Sequence, residues 1–209
     1  MTTGFTYLII AVTLGVSLLS FSRPHWFEKM LMSPYRVIQN REYYRILTHG
    51  FLHGDYAHLF VNLFVLWSFG TALEDLYAYH FGMWGLPMYV LLYFGGMFVA
   101  TLPALKKHSE DYSYRSVGAS GAVSAVLFSY ILIMPTSMLG LFLVIPIPAF
   151  VFGILYLWYE ASMQNKRDGI AHDAHLFGAL LGISLSIVYN PKWLPEFFLK
   201  VAHYVGSLF

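Results

Sequence analysis

A chain of 209 residues, 58% of them hydrophobic and only 11% charged, lacks the charge that solvates a globular surface, where about a quarter of residues is usual. Its mean hydropathy of +0.60 marks an integral membrane protein, and a net charge of +1 excludes the basic footprint of a nucleic-acid binder. With no cysteine, disulfides, thiol nucleophiles and thiolate metal sites are excluded as well.

A membrane crossing needs about 17–25 mostly apolar residues, and the first such run is 5–21. No basic residue precedes it and no small-residue cleavage site follows, so it reads as a retained helix and not a signal peptide. Residues 22–47 mix Arg23, Lys29, Arg36, Arg41 and Arg45 with Trp26, Phe27 and Tyr35, the pattern of short amphipathic helices lying in the interface. A second span covers 58–73 and ends at Glu74 and Asp75; a third covers 86–102 and holds the Gly95-Gly96 pair. After the charged loop 106–115 comes a fourth span at 119–134, then a fifth at 138–159, which Pro146 and Pro148 should kink or locally break. Polar residues 164–168 lead to a sixth span at 174–189. The tail, 191–209, reads as an amphipathic interfacial helix, with a seventh span the less favoured option. The expected fold is an all-α membrane protein: one six-helix domain over residues 1–209, with an interfacial first loop.

Chemistry concentrates where the charged loop meets the fourth span, at Ser116-Val117-Gly118-Ala119-Ser120-Gly121-Ala122-Val123-Ser124. Ser120 opens an apolar helix, whose unpaired N–H groups stabilise negative charge. Gly118 and Gly121 leave its hydroxyl uncrowded. Small residues also pack tightly between membrane helices with no chemistry involved, so Ser120 alone is ambiguous. The matching base is His175, which opens the sixth span. Gly178 and Gly182 lie three and seven residues on, beneath the imidazole on the same helix face. A glycine-lined face topped by histidine can press against a glycine-flanked serine, close enough for a hydrogen bond of about 2.6–3.2 Å. A third constellation runs through His49, His53, His58 and Asn62. His58 and Asn62 share a face of the second span, where polar side chains mark function by default; both can donate hydrogen bonds to an oxyanion. Asn62 bonding a neighbouring helix backbone is the plain alternative, and His49 and His53 are read as holding the preceding loop.

Taken together, Gly-Ala-Ser-Gly opening one helix, Ala-His-x-x-Gly-x-x-x-Gly opening another, and the upstream series His49, His53, His58, Asn62 resemble the rhomboid family of intramembrane serine proteases. The likeness runs from about Tyr44 to Gly182 and fits the minimal six-helix bacterial form. It implies Ser120 as nucleophile, His175 as general base, and His58, Asn62 and the Ser120 N–H as the oxyanion hole. It also implies that Arg45 and Glu74 tie the first loop to the second helix, and that the fifth helix and the loop before the sixth gate lateral access. Ser124 stands where bacterial members often carry a tyrosine stacked on the catalytic histidine, so something else must orient His175: a neighbouring aromatic or His172. Tyr44-Arg45 stands where Trp-Arg is frequent.

No carboxylate is expected beside His175. Asp173 is two residues away and points elsewhere on a helix, while Asp55 and Glu74 lie on other segments, so a Ser–His dyad without cofactor or metal is expected. The implied substrates are single-span membrane proteins in the lipid bilayer whose helix unwinds near the interface. All Lys and Arg except Lys192 and Lys200 fall on the active-site side, which the positive-inside rule would place in the cytoplasm; the resemblance implies a bacterial inner membrane with the site on the extracytoplasmic side. Two other classes compete. One is a histidine-box metal-dependent membrane enzyme built on His49-x-x-x-His53 and His172-x-x-His175, and the other a catalytically inactive rhomboid-like protein that binds membrane helices.

Overall fold

The computed structural model describes residues 4–141, 145–164, 166 and 170–209. The chain enters with helix α1 (Gly4–Phe21), then lays down three short helices, α2 (Pro24–Met30), α3 (Pro34–Gln39) and α4 (Arg45–Thr48). Pro24 and Pro34 sit in the first turns of α2 and α3, where their missing N–H removes no helix bond. Helix α5 (Tyr56–Val65), capped by the Asp55 carboxylate on the His58 N–H at 2.7 Å, continues through a π turn (Leu66–Gly70) into α6 (Thr71–Phe81). There follow α7 (Gly85–Lys107), α8 (Ser120–Ile133), an antiparallel hairpin of β1 (Met138–Leu141) and β2 (Ile145–Pro148), α9 (Ala149–Met163), α10 (His172–Tyr189) and α11 (Trp193–Gly206).

Helix α8 is the centre. Gly121 to Ser129 and Ile131 to Ile133 are all buried, which is why this helix is apolar all round and has no polar face. At about 1.5 Å per residue its fourteen residues rise roughly 21 Å, short of a hydrocarbon core of about 30 Å, so its ends are met by protein. At its lower end the Lys200 ammonium of α11 donates to the Ile133 carbonyl at 2.8 Å. The segments Gly4–Phe21 and Tyr56–Lys107 are long and apolar enough to cross a membrane, and α10 turns through 109° into α11. Leu8, Leu19, Phe60, Ile154, Trp158 and Val188 remain exposed, as suits side chains facing lipid. Inside, Tyr77, Ser129 and Ser186 join α6, α8 and α10 through hydroxyl bonds of 2.6–3.2 Å, the polar linkage available where lipid offers no hydrophobic drive.

One predicted span is corrected. The single kinked helix expected over 138–159 is divided: Met138 pairs with Pro148 and Leu139 with Ile147 in the hairpin, and helix begins only at Ala149. The physical reason lies in Pro146 and Pro148: each drives the residue before it out of the helical region, so Ile145-Pro146-Ile147-Pro148 is extended and Pro148 can do no more than precede the helix. Residues 142–144 of that span lie outside the described residues.

Between α1 and α5 the chain folds into a frame around Arg45, which is 2% exposed and donates to the Glu28 and Leu31 carbonyls at 3.0 and 2.8 Å and to the Glu42 carboxylate at 2.6 Å. His49 donates through Nδ1 to the Arg45 carbonyl at 2.9 Å. Ser17 Oγ donates to the Phe51 carbonyl, so its lone pair takes the His53 Nδ1–H at 2.9 Å, fixing the loop to α1. Glu74 does not share in this frame as expected. Its carboxylate accepts from the Phe5 and Thr6 N–H groups and the Thr6 hydroxyl at 2.6–3.1 Å, because the open N-terminus of α1 offers it unpaired donors. It ties α6 to α1, while Arg45 holds the loop.

Burial pushes His49 down to about 4 and His53 down to about 3. Both stay neutral in the folded protein at pH values where an unfolded histidine, titrating near about 6.5, is already charged. Their contribution to stability is therefore complete above about pH 6.5 and lost as pH falls toward 4, by up to about 1.4 kcal/mol per pH unit for each. The melting temperature in detergent is expected to be flat from pH 8 to 7 and to decline steadily from 6.5 to 4. His53→Gln should make that decline shallower, and an unchanged slope would show that the buried imidazole is not its source.

Candidate active site

The site is built on the contact of α8 with α10. A Cβ placed on Gly178 would overlap the Gly121 carbonyl oxygen, and one on Gly182 would overlap that of Ala125. Backbone touches backbone at two successive turns, and Ser186 meets Ser129 one turn further on. The register is parallel. It sets His175, one turn above Gly178, level with Gly118, at the end of the bundle where Ser120 begins α8. Ser120 Oγ has no hydrogen-bond partner among the described residues, so the fold brings serine and histidine to one level without drawing a bond between them.

His175 is held from the other side. Its Nδ1 lies 2.9 Å from Glu160 Oε1, and His172 Nδ1 lies 2.6 Å from Glu160 Oε2. Glu160 projects from α9 and is 4% exposed. A carboxylate accepts and does not donate, so the His175 proton sits on Nδ1 and Nε2 carries the free lone pair. The expectation that no carboxylate stands beside His175 is thus overturned: the acid comes from α9, the helix that precedes α10, fifteen residues before the histidine. A sequence signal existed, since Glu160 is the lone charge between Arg115 and Lys166, and an ionisable residue in such a stretch marks a functional site by default. One turn before it, Tyr156 bonds Ser124 Oγ at 2.8 Å, and its ring centroid lies 6.4 Å from that of His175. The aromatic missing at position 124 is supplied across the interface by α9.

Gly118 has φ +120°, a conformation that favours glycine. A Cβ there would stand 3.0 Å from His58 Nε2 and 3.8 Å from Ser120 Oγ. The absent side chain leaves a small space bounded by the imidazole and the serine hydroxyl, where an oxyanion would need its donors. Asn62, buried on α5 one turn below His58, donates through Nδ2 to the His58 carbonyl at 3.0 Å. The backbone it bonds is that of its own helix, and the amide carries a second N–H. His53 stacks edge-on to His58 with centroids 4.9 Å apart. The serine loop is itself positioned by the frame: Met32 and Ser116 exchange two backbone bonds of 3.0 and 3.1 Å, and the Gly118 N–H donates to the His49 carbonyl at 3.0 Å.

Ser120 and His172 line one cavity of about 720 Å³, bordered by Lys107, His108, Asp111 and Arg115. The charged rim and the Lys107–Asp173 ion pair mark the aqueous end of the bundle. Residues 165 and 167–169 of the loop before α10, expected to gate access, lie outside the described residues. Glu160, His172 and His175 also offer three donor atoms within 4.8 Å of one another.

A family model described as Rhomboid domain matches residues 40–192. The chain is 30% identical over 148 residues to Rhomboid protein 1, mitochondrial, of Saccharomyces cerevisiae, covering 66% of this chain and 39% of that protein. It is 29% identical over 195 residues to Rhomboid-like protein 11, chloroplastic, of Arabidopsis thaliana (86% and 63%). It is 26% identical over 157 residues to Putative rhomboid protease YdcA of Bacillus subtilis (74% and 71%). The chain spans 39%, 43% and 63% of the lengths of the first three curated relatives it matches.

Widening the α8–α10 contact should disable the site. Gly178→Val is expected to lower the melting temperature and abolish any serine reactivity, since the Gly121 backbone cannot give way. Gly118→Ala strains the loop and fills the space beside His58; folded protein recovered from this variant should show serine reactivity reduced by about 10²–10³-fold, the scale of losing an oxyanion donor. Wild-type reactivity in either variant contradicts the geometry.

Proposed function

Because the chain belongs to the rhomboid family, we propose that it is an intramembrane serine endopeptidase in which Ser120 is the nucleophile, His175 the general base and Glu160 the carboxylate that holds the base. The observation that carries this reading is the Glu160–His175 hydrogen bond of 2.9 Å, which leaves Nε2 unprotonated on a helix pressed against the one that Ser120 opens. In the proposed course His175 Nε2 takes the Ser120 proton as Oγ attacks a peptide carbonyl. The oxyanion is met by His58, by the free N–H of Asn62 and by the first N–H groups of α8, which have no partner within the helix. His175 then returns the proton to the leaving amine, and water from the cavity hydrolyses the acyl-enzyme. Glu160 stabilises the imidazolium formed between these steps and fixes its tautomer. His49, His53 and Arg45 act further out, holding the loop that carries Gly118.

The substrates proposed are single-span membrane proteins. An intact helix keeps its carbonyls bonded, so a segment with Gly, Pro or small residues near the cleaved bond yields its backbone more readily. The six crossings proposed are α1, α5 with α6, α7, α8, α9 and α10, in a bacterial inner membrane with the cavity on the extracytoplasmic face. Tethering of the Arg45 frame to the bundle, so that it is no free loop, supports setting aside the positive-inside count. An inactive helix-binding relative is disfavoured by the presence of serine, histidine and a carboxylate in one constellation.

A serine-directed fluorophosphonate is expected to label wild type but neither Ser120→Ala nor His175→Ala. Cleavage of a helix-destabilised model substrate in detergent, followed by mass spectrometry, should vanish in both. Glu160→Gln, whose amide presents a donor where an acceptor is needed, should lower kcat by about 100-fold or more with little change in KM. Equal labelling of all proteins would end the proposal, and undiminished kcat in Glu160→Gln would return it to a dyad.

A further inference from the structure

Glu160 joins two histidines, and the reaction proposed above uses only one of them. His172 Nδ1 sits 2.6 Å from Glu160 Oε2 while His175 Nδ1 sits 2.9 Å from Oε1. The three residues come from two helices, yet their donor atoms all fall within 4.8 Å of one another. Side-chain exposures of 1%, 5% and 17% for His172, Glu160 and His175 mean that the cluster is walled in and not spread over a surface. It is nonetheless reachable, because His172 lines the water-side cavity. Two imidazoles, one carboxylate and a cavity open to a fourth ligand make up the donor set that Zn²⁺ takes in sites with an open position.

We propose that Glu160, His172 and His175 form a site for a transition-metal dication of the Zn²⁺ class, and that occupancy switches the protease off. Binding lengths of about 2.0–2.2 Å place tetrahedral donors about 3.3–3.6 Å apart, roughly 0.4–1 Å beyond the present N···O separations of 2.6 and 2.9 Å, a change that side-chain rotation supplies. The inhibition follows from the tautomer. In the metal-free protein the His175 proton is on Nδ1, donated to Glu160, and Nε2 is the free base. Zn²⁺ takes the Nδ1 lone pair, so the one proton of the neutral ring moves to Nε2, the nitrogen needed by Ser120. No proton is gained or lost, yet the base has become a donor. The same ion removes the Glu160 carboxylate from its positioning role. The ion is thus a reversible inhibitor and not a cofactor. The binding site stands on geometry alone; the inhibition rests on the proteolytic reading.

The two parts are tested separately. Zn²⁺ titrated calorimetrically into the full-length Ser120→Ala protein in detergent, after chelator treatment, should bind stoichiometrically, and Co²⁺ in its place should give the visible absorption of a four-coordinate ion. Glu160→Gln and His172→Gln in that background should each weaken Zn²⁺ binding by at least about 100-fold, more than loss of an outer-shell partner costs, whereas His108→Gln on the cavity rim should not. Should those variants fail to fold, Zn²⁺ protection of His172 and His175 from diethylpyrocarbonate, read by peptide mass mapping, tests the same site on the unaltered cluster, and lack of protection counts against it. Absence of binding, or binding indifferent to Glu160 and His172, overturns the site. In wild type, Zn²⁺ should suppress cleavage of the model substrate and a chelator restore it; a saturated site with unchanged cleavage overturns the switch. Protein that binds Zn²⁺ through this cluster but cleaves nothing when metal-free would refute the proteolytic reading and leave the site standing.

Discussion

Two helices in this protein touch through their backbones. At Gly121–Gly178 and Ala125–Gly182 no room remains for even a methyl group, and this contact fixes the translation and rotation of α10 against α8. A side chain at Gly178 or Gly182 would force the axes apart, and His175 would be carried away from the start of α8. In a lipid solvent this closeness is also the source of cohesion, because burying apolar surface against another helix gains little over burying it in hydrocarbon. The contact therefore serves stability and site geometry together.

Around that axis the buried Arg45, Glu74 and Glu160 are each paired within the fold. Glu74 closes the N-terminus of α1, Arg45 joins the end of α2 to Glu42, and Glu160 takes two histidine protons. Placing a carboxylate in a poorly hydrated interior is unfavourable unless donors surround it, and each of the two buried glutamates is met by at least two. The energetic demand of burying Glu160 is what makes it informative: its donors are the two histidines at the head of α10, and one of these is the residue that the glycine contact sets level with the start of α8.

The third helix of the site arrives by an unusual route. The hairpin of β1 and β2 delays the start of α9 until Ala149, and α9 is consequently short, with Tyr156 and Glu160 one turn apart on the face that meets α8 and α10. Tyr156 reaches Ser124 and lies beside the His175 ring. Orientation of the histidine is divided between a ring and a carboxylate from one neighbouring helix, where a residue on the serine helix itself would have done part of the task.

Local spacing carried the helical class, the membrane setting, the serine and histidine helices with their glycine faces, and the amphipathic tail, because each is expressed in composition or in a period of 3.6 along one segment. The hairpin was obscured by its own apolar composition: residues 138–148 are as hydrophobic as a crossing helix, and only the alternation Ile145-Pro146-Ile147-Pro148 distinguished them. The partner of His175 could not be read by proximity in sequence, since fifteen residues and a loop separate it from Glu160. Glu74 was misassigned for the same reason, its donors lying 68 and 69 residues away on α1. Which residues are apolar, small or ionisable is written in the chain; which ionisable group meets which donor depends on the crossing of three helices, and that is settled only when the glycine faces close and leave each buried charge with no water to turn to.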